Sequence, residues 1–120
     1  MKIVWRLSEC PEFIAGDNCY LREILHPDKA PLSLRYSLAR ARVPAGTETT
    51  PHRLATSEVY FVLQGLGRMH VGDETDEVGP GDTVYIPPNA TQFIEALGPD
   101  ELVFLCIVDP AWRVEDEVIE

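Results

Sequence analysis

A histidine and a glutamate six residues apart could place an imidazole and a carboxylate in one interior site. His52 and Glu58 lie between Gly46 and Gly65, and glycines of this kind are typical of turns. Glu58 begins an apolar segment in which alternate side chains point to opposite faces of a strand. A carboxylate buried in such a segment is costly unless it is paired or binds a metal. Glu58 is therefore the charged residue whose burial needs a chemical explanation.

Tyr60 is the second candidate for chemistry in this segment. It follows Glu58 by two residues and shares its face of the predicted strand. A buried tyrosine hydroxyl needs a hydrogen-bond partner. We therefore expect Glu58 and Tyr60 to be the catalytic residues that handle protons. Tyr85 is a further tyrosine in an apolar segment, but the pattern leaves its facing open.

The other two histidines are weaker candidates. His26 precedes a proline in a polar loop, and we expect a surface role for it rather than a ligand role. His70 lies between Met69 and Val71 in a predicted strand. Those two apolar side chains should face the core, so His70 should face outward.

The composition predicts one globular domain without a basic surface. The chain has 120 residues, and 10 Lys and Arg against 20 Asp and Glu give a net charge of −10. This charge disfavours nucleic acid and anionic membranes as partners. The longest apolar run is Leu102–Val108, far short of the ~20 residues of a membrane-spanning helix. A charge close to the start disfavours a signal peptide, so we expect a cytoplasmic protein.

The three cysteines predict neither a metal site nor a disulfide framework. They are Cys10, Cys19 and Cys106, and no two of them have the C-x-x-C spacing. Cys106 lies in the apolar run, where a free cysteine behaves as a small buried hydrophobic residue.

Short apolar segments alternate with turn signals along most of the chain. The turns contain Gly, Pro, Asn and Asp, and the segments between them are rich in β-branched and aromatic residues. This spacing predicts an antiparallel sandwich or barrel. The predicted strands are Tyr20–Leu25, Ser33–Val43, Val59–Leu63, Arg68–Val71, Thr83–Ile86, Thr91–Ala96 and Leu102–Val108.

The two ends of the chain are harder to place. Lys2–Leu7 is apolar enough to form a strand that adds to a sheet edge, of its own barrel or of a neighbouring copy. Exchange between two copies would bury both segments, so we expect a homodimer. The acidic C-terminus predicts an exposed tail anchored by Trp112. The single domain then spans 1–120, with a barrel core over about 20–110, an N-terminal arm over 1–19 and a tail over 110–120.

The residues around Glu58 resemble the first sequence motif of the cupin family. That motif is a glycine, five residues, His-x-His, three or four residues, a glutamate, six residues and a glycine. Gly46, His52, Glu58 and Gly65 match it at the same spacing. Leu54 stands where the motif has its second histidine.

A later segment resembles the second cupin motif. That motif is a glycine, five residues, Pro-x-Gly, two residues, a histidine, three residues and an asparagine. Gly81 and Pro87 match it, whereas Asn89, Gln92 and Ala96 replace the second glycine, the histidine and the asparagine. Asparagine can adopt the left-handed turn conformation that a glycine adopts.

The resemblance implies both a fold and a metal site. It implies an all-β cupin double-stranded β-helix, a jelly-roll-like barrel of antiparallel strands. Cupins generally hold one divalent metal with three histidines and a glutamate. Carried over to this chain, the metal ligands are His52, Glu58 and Gln92, with positions left open for water or substrate. Such nitrogen and oxygen ligands suit a divalent transition metal, namely Mn, Fe, Co, Ni or Zn.

Two functions remain open at this point, because the cupin fold hosts many reactions. The first is a metal-dependent enzyme that acts on a small anionic molecule, with isomerase, lyase or oxygenase chemistry unresolved. The second is a non-catalytic cupin that binds or senses a small molecule without metal. In that case His52 would donate to the ligand, and Glu58 and Gln92 would form a hydrogen-bonded cluster.

Four arginines lie close together in this acidic chain, and they allow two interpretations. They are Arg35, Arg40, Arg42 and Arg53. In the first interpretation they pair with nearby acids on the surface, and such pairs contribute little to stability. Alternatively, one of them stands at the mouth of a pocket and steers an anionic substrate into it.

Overall fold

The computed structural model describes all 120 residues, and eleven β-strands make up most of the fold. The strands are β1 (Glu12–Ile14), β2 (Tyr20–Leu25), β3 (Ser37–Val43), β4 (His52–Leu54), β5 (Ser57–Gln64), β6 (Gly67–Val71), β7 (Glu74–Val78), β8 (Thr83–Ile86), β9 (Gln92–Ala96), β10 (Leu102–Asp109) and β11 (Glu117–Ile119). They form two antiparallel sheets, with strand orders β1-β2-β3-β10-β5-β8 and β11-β4-β9-β6-β7. The predicted all-β, jelly-roll-like architecture is confirmed.

Strand β10 is the apolar centre of the first sheet. It pairs with β3 on one side and with β5 on the other. Its register with β5 places Cys106 opposite Tyr60 and Val108 opposite Glu58. Directly opposed residues of an antiparallel pair share a face. The buried face of β10 therefore forms part of the surroundings of both candidate catalytic residues.

The inner faces of the two sheets meet in one core. Val62 and Phe104 come from the first sheet, and Met69 and Ile94 come from the second. Full burial of such a side chain stabilises the fold by roughly 1.5–3 kcal/mol. Tyr60 belongs to the same cluster, and its ring packs on Phe104 with a centroid separation of 4.3 Å. The core thus fixes the position of one candidate site residue.

The predicted strands are present, and four short strands are additional. β2 and β8 have the predicted bounds, whereas β3 begins at Ser37 rather than Ser33. The strands that the sequence did not predict are β1, β4, β7 and β11. Three of them have only three residues, and the side chains of β7 are almost all polar and exposed. Three residues are too few for a periodic signal, and β7 lacks the alternation that signals a half-buried strand.

Lys2–Leu7 forms no strand on its own barrel, and its pairing with a neighbouring copy stays a prediction. Residues 1–6 have no regular structure, and Leu7–Glu9 forms a single 3-10 turn. The strand that adds to the sheet edge is instead β1, which pairs with β2. Arg42 holds Glu12 of β1 through two hydrogen bonds of 2.9 and 2.7 Å. No comparable anchor fixes the earlier segment, so the pairing begins after it.

The acidic C-terminus is largely exposed, as expected, but it ends in a strand that the sequence did not predict. Residues Glu117–Ile119 form β11, which pairs with β4 and places Glu117 opposite Leu54. Trp112 does anchor this end, because its Nε1–H donates to Glu117 Oε2 at 3.0 Å.

No helix in the structure has the length and apolar character needed to cross a membrane.

Candidate functional site

A cavity of about 360 Å³ lies within the barrel and is lined largely by apolar side chains. Twelve of its 20 lining residues are hydrophobic. Its polar groups are the side chains of Asp17, Glu23, Lys29, Ser37, His52, Glu58 and Glu117, together with the hydroxyl of Tyr60, whose ring counts among the twelve. An apolar cavity with a few converging polar groups is the usual form of a small-molecule site.

Strand β5 carries Glu58 and Tyr60 into this cavity. Its side chains alternate between buried and more exposed positions, and Glu58, Tyr60 and Val62 form the buried set. This is the facing that the sequence predicts. The glutamate is only 7% exposed, so its carboxyl group is removed from bulk solvent.

Gln92 connects the two β5 residues through its side-chain amide. The Tyr60 hydroxyl donates to Gln92 Oε1 at 2.8 Å, and Gln92 Nε2 donates to Glu58 Oε1 at 2.9 Å. Gln92 is fully buried and does not line the cavity. The hydrogen-bonded series Tyr60–Gln92–Glu58 therefore holds the carboxyl group from the side away from the cavity. No protein group hydrogen-bonds to the other oxygen of Glu58, which leaves it available to a ligand.

The protonation state of Glu58 follows from its burial. Burial raises the pKa of Glu58 to about 8, and the negative charges of Asp17 and Glu117 act in the same direction. The hydrogen bond from Gln92 opposes this rise. At neutral pH the group is therefore mostly a carboxylic acid, which can donate a proton. Burial also raises the pKa of Tyr60 well above its usual value, so Tyr60 remains a hydroxyl donor.

His52 presents one ring nitrogen to the cavity. Its Nδ1 lies 3.0 Å from the carbonyl oxygen of Thr50, and because a carbonyl can only accept, Nδ1 carries the proton in this contact. The other nitrogen, Nε2, lies 3.8 Å from Asp17 Oδ2, too far for a hydrogen bond. In the neutral ring, Nε2 is therefore a free acceptor inside the cavity.

The predicted metal ligands are only partly brought together. His52 and Glu58 line the same cavity, whereas both amide atoms of Gln92 are engaged behind its wall. The buried side chain of Leu54 lines the cavity where the first cupin motif has its second histidine. Nowhere in the structure do three or more His, Cys, Asp or Glu side chains form a group that could hold a metal. As they stand, these side chains do not fit a transition metal, whose binding stays a prediction.

Several residues of the cavity were not singled out from the sequence. Asp17 lies in the turn between β1 and β2, Glu23 lies on β2, and Glu117 begins β11. None belongs to a recognisable motif, and Glu117 lies in the segment expected to be an exposed tail. Only the pairing of β11 with β4 brings Glu117 to the wall.

His26 is buried, so the expected surface role is wrong. Its Nδ1 accepts from the backbone N–H of Asp28 at 3.0 Å, which leaves Nε2–H to donate to the carbonyl oxygen of Trp112 at 2.7 Å. His26 thus ties its loop to the C-terminal segment. His70 faces away from the cavity, as expected, and stacks on Phe93 with a centroid separation of 4.0 Å.

Three of the four arginines follow the first of their two interpretations, and Arg40 forms no ion pair. Arg35 pairs with Asp109, Arg42 pairs with Glu12 and Glu101, and Arg53 pairs with Glu120. None of the four arginines lines the cavity. Tyr85 is 65% exposed and also lies away from it. The cavity therefore has no arginine that could steer an anion.

The thiols of the cavity are inert. Cys19 and Cys106 line it, and all three cysteines of the chain are free and buried. Burial raises the pKa of the Cys106 thiol well above its usual value. Because the nucleophilic form of cysteine is the thiolate, neither a covalent role nor metal ligation is favoured.

The sequence matches the family described as "Cupin domain" over residues 39–108. The chain therefore belongs to the cupin family. An uncharacterized protein of Methanocaldococcus jannaschii is 41% identical to it over 123 residues, which cover 100% of this chain and 98% of the relative.

Solved structures share the fold. A predicted oxalate decarboxylase from Thermotoga maritima has 21% sequence identity and a TM-score of 0.79, covering 90% of this chain and 99% of that one. A nucleoside dehydratase from Streptomyces has 19% identity and a TM-score of 0.81, covering 100% of this chain and 92% of that one. At these identities the similarity shows the fold.

Proposed function

We propose that this cupin is an enzyme that moves a proton on a small molecule bound in the barrel cavity, in a reaction of isomerase or lyase type. Glu58 is the general acid and His52 is the general base. The observation that carries the proposal is the chain Tyr60–Gln92–Glu58, which holds a buried carboxylic acid with one oxygen free. An acid whose pKa lies near the working pH can both give and take a proton.

In this proposal each residue has one step. The Thr50 carbonyl fixes the tautomer of His52, so Nε2 takes the proton from the ligand. Asp17 Oδ2, at 3.8 Å from Nε2, is placed to stabilise the imidazolium that forms. Glu58 then delivers its proton to a leaving or rearranging group. Dehydration, the activity named for the Streptomyces relative, is one reaction that needs such an acid and base.

Tyr60 acts through Gln92 in this proposal. Its hydroxyl donates to Gln92 Oε1, and the amide of Gln92 then has a single orientation in which Nε2 faces Glu58. Tyr60 is therefore a positioning residue for the acid. Direct proton transfer by Tyr60, which the sequence predicts as an alternative to Glu58, stays a prediction.

A metal-dependent enzyme is the second candidate. The free Nε2 of His52, with Nδ1 bound to a carbonyl, is the arrangement usual for a metal-binding histidine. A metal at His52, Glu58 and Gln92 would require Gln92 to release Tyr60 and turn toward the cavity. Elemental analysis of protein purified without a histidine tag separates the candidates, because only this one expects about one Mn, Fe, Co, Ni or Zn per chain.

Proton exchange with heavy water tests the proposal without knowledge of the substrate. The protein is incubated in deuterated buffer with pools of small carbon acids and hydroxy compounds, and the loss of C–H signals is followed by proton NMR. We expect loss in at least one pool, and we expect Glu58→Gln and His52→Gln to abolish it. Glu74→Gln, an exposed change on β7, is the matched control.

The same samples distinguish the non-catalytic alternative. Saturation-transfer signals from the pools report binding independently of exchange. Binding without exchange in any pool would contradict the proposal and favour a binding or sensing cupin. Exchange that persists in Glu58→Gln would also contradict it, because the acid would then not be this carboxyl group.

A further inference from the structure

We infer that the molecule bound in this cavity is a small organic cation, an ammonium group attached to an apolar body. The inference rests on the proposed function, because it names the class of molecule that His52 and Glu58 would act on. It starts from two carboxylates of the cavity wall, Asp17 and Glu117, for which the protein supplies no lysine or arginine partner.

The charges of the cavity do not balance within the protein. Four carboxyl groups line it, on Asp17, Glu23, Glu58 and Glu117, against one lysine, Lys29. Lys29 Nζ lies 2.5 Å from Glu23 Oε1, so this pair is mutually neutralised. It is an ion pair rather than an aligned hydrogen bond, since Glu23 Oε1 has no hydrogen-bond partner. No lysine or arginine remains for the other carboxyl groups.

Asp17 carries an oxygen that has no hydrogen-bond partner in the protein and is not sealed from the cavity. The residue is 8% exposed, and its Oδ1 accepts from the backbone N–H of Cys19 at 3.3 Å. Its Oδ2 faces His52 Nε2 at 3.8 Å and accepts no hydrogen bond. A carboxylate oxygen that faces a largely apolar cavity is costly to leave without a donor. A donor from a bound ligand would satisfy this one.

Glu117 is fixed beside an aromatic ring. Its Oε2 accepts from Trp112 Nε1–H at 3.0 Å. Its Oε1 lies against Gly16, where a methyl group would come within 2.6 Å of it. The backbone of Trp112 is held in turn by His26 and by the hydroxyl of Ser37. The result is a carboxylate and an indole held together on the cavity wall.

Aromatic side chains add to the preference for a cation. Phe13, Tyr60, Phe104 and Trp112 line the cavity. The face of an aromatic ring attracts a cation, and tryptophan does so most strongly. The largely apolar lining requires the remainder of the ligand to be apolar. An anion of the same shape would meet two uncompensated carboxylates.

A matched set of three probes tests the charge preference. Benzylamine, benzyl alcohol and benzoate have similar shapes and differ in charge, and titration calorimetry on the full chain measures their affinities. We expect benzylamine to bind about tenfold or more tightly than benzyl alcohol, since a charge-assisted hydrogen bond replaces a neutral one. We expect no measurable binding of benzoate.

Two isosteric variants test whether Asp17 and Glu117 cause the preference for the charged amine. Asp17→Asn and Glu117→Gln each remove one charge and keep the acceptor oxygen, so both should fold. Each should lower the affinity for benzylamine severalfold and leave that for benzyl alcohol unchanged, while the exposed control Glu74→Gln changes neither. Equal affinities for amine and alcohol, an absence of amine binding at millimolar concentration, or insensitivity to both substitutions would overturn the inference. Displacement of benzylamine by one equivalent of Mn²⁺ would also overturn it.

Failure of the inference can be told from failure of the proposed function. Glu58→Gln should abolish proton exchange and retain the preference for benzylamine. Selective amine binding without exchange in any pool would contradict the proposed function alone. Exchange on a neutral or anionic compound, without amine selectivity, would contradict the inference alone.

Discussion

The side-chain amide of Gln92 donates to Oε1 of Glu58 at 2.9 Å, from the position at which the second cupin motif carries a histidine. Its carbonyl oxygen accepts from the Tyr60 hydroxyl, so the amide joins two buried groups rather than facing the cavity. The replacement therefore changes the role of this position from ligand to support. Glu58 keeps a proton near neutral pH because its burial raises its pKa, and the hydrogen bond from Gln92 only partly opposes this rise.

Substitution of Gln92 by methionine should raise the pKa of Glu58 above about 8, because the amide donor lowers it. It should also destabilise the fold by about 1–3 kcal/mol, since the buried Tyr60 hydroxyl loses its acceptor. Carbon-13 NMR of labelled glutamate and urea denaturation measure the two effects. Gln64→Met on the exposed end of β5 is the control. An unchanged or lowered pKa in the variant would contradict the role given to Gln92.

The stability of the protein should depend on the protonation of Glu58. Its pKa is about 8 when folded against 4.5 for an ordinary glutamate, so between these values the folded state binds more protons. Stability contributed by this group is therefore full below pH 4.5 and is lost as the pH rises through 8. Glu58→Gln removes this dependence. The melting temperature of the variant relative to the parent should therefore increase from pH 5 to about pH 8 and level off above it, where Glu58 is ionised in both states. A difference that is constant across this range would contradict the raised pKa.

Much of the fold could be predicted from the sequence because its signals are local. Segments such as Tyr20–Leu25 and Thr83–Ile86 alternate or are strongly apolar, and turns bound them. The facing of Glu58 and Tyr60 follows from the same alternation. β11 could not be predicted, because its residues Glu117–Ile119 carry little signal of their own and their pairing with β4 is a long-range contact.

The candidate site was predictable only where a motif carried it. The motif spacing identifies His52, Glu58 and Gln92 as candidates. It does not show that the side chain of Gln92 is buried away from the cavity. Asp17 and Glu117 come from opposite ends of the chain and meet through tertiary structure alone. An anionic substrate was expected because Arg35 and its neighbours are clustered in sequence. In the structure Arg35, Arg42 and Arg53 pair with acids, and none of the four arginines lines the cavity.

Restoring the second histidine of the first cupin motif, at position 54, should create a metal site. Leu54 lies on β4 two residues from His52, and both side chains are buried at the cavity. Leu54→His should therefore bind Ni²⁺ about tenfold or more tightly than the parent, since an imidazole replaces a water ligand. Competition against a chelator measures the affinity, and Leu54→Gln controls for polarity. Equal affinities in the folded variant and the parent would contradict this placement of residue 54.

The predicted homodimer can be tested by light scattering. Ile3 and Val4 are exposed at the N-terminus, and Phe61, Tyr85 and Ile107 are exposed on the outer face of the first sheet. We expect a dimer at micromolar concentration that removal of residues 1–8 dissociates. A monomeric full-length protein would contradict the dimer. A truncated protein that remains dimeric would place the interface elsewhere, and Phe61→Glu on the outer face would then be expected to dissociate it.

The most direct measurement is the titration of the Glu58 carboxyl group in the intact protein, followed by carbon-13 NMR with Glu58→Gln to assign the signal. A buried acid held by Gln92 and poised for proton transfer should titrate near pH 8. A carboxyl group that titrates near 4.5, the value of an ordinary glutamate, would be charged throughout the neutral range. That result would contradict the assignment of Glu58 as the proton donor of this cupin.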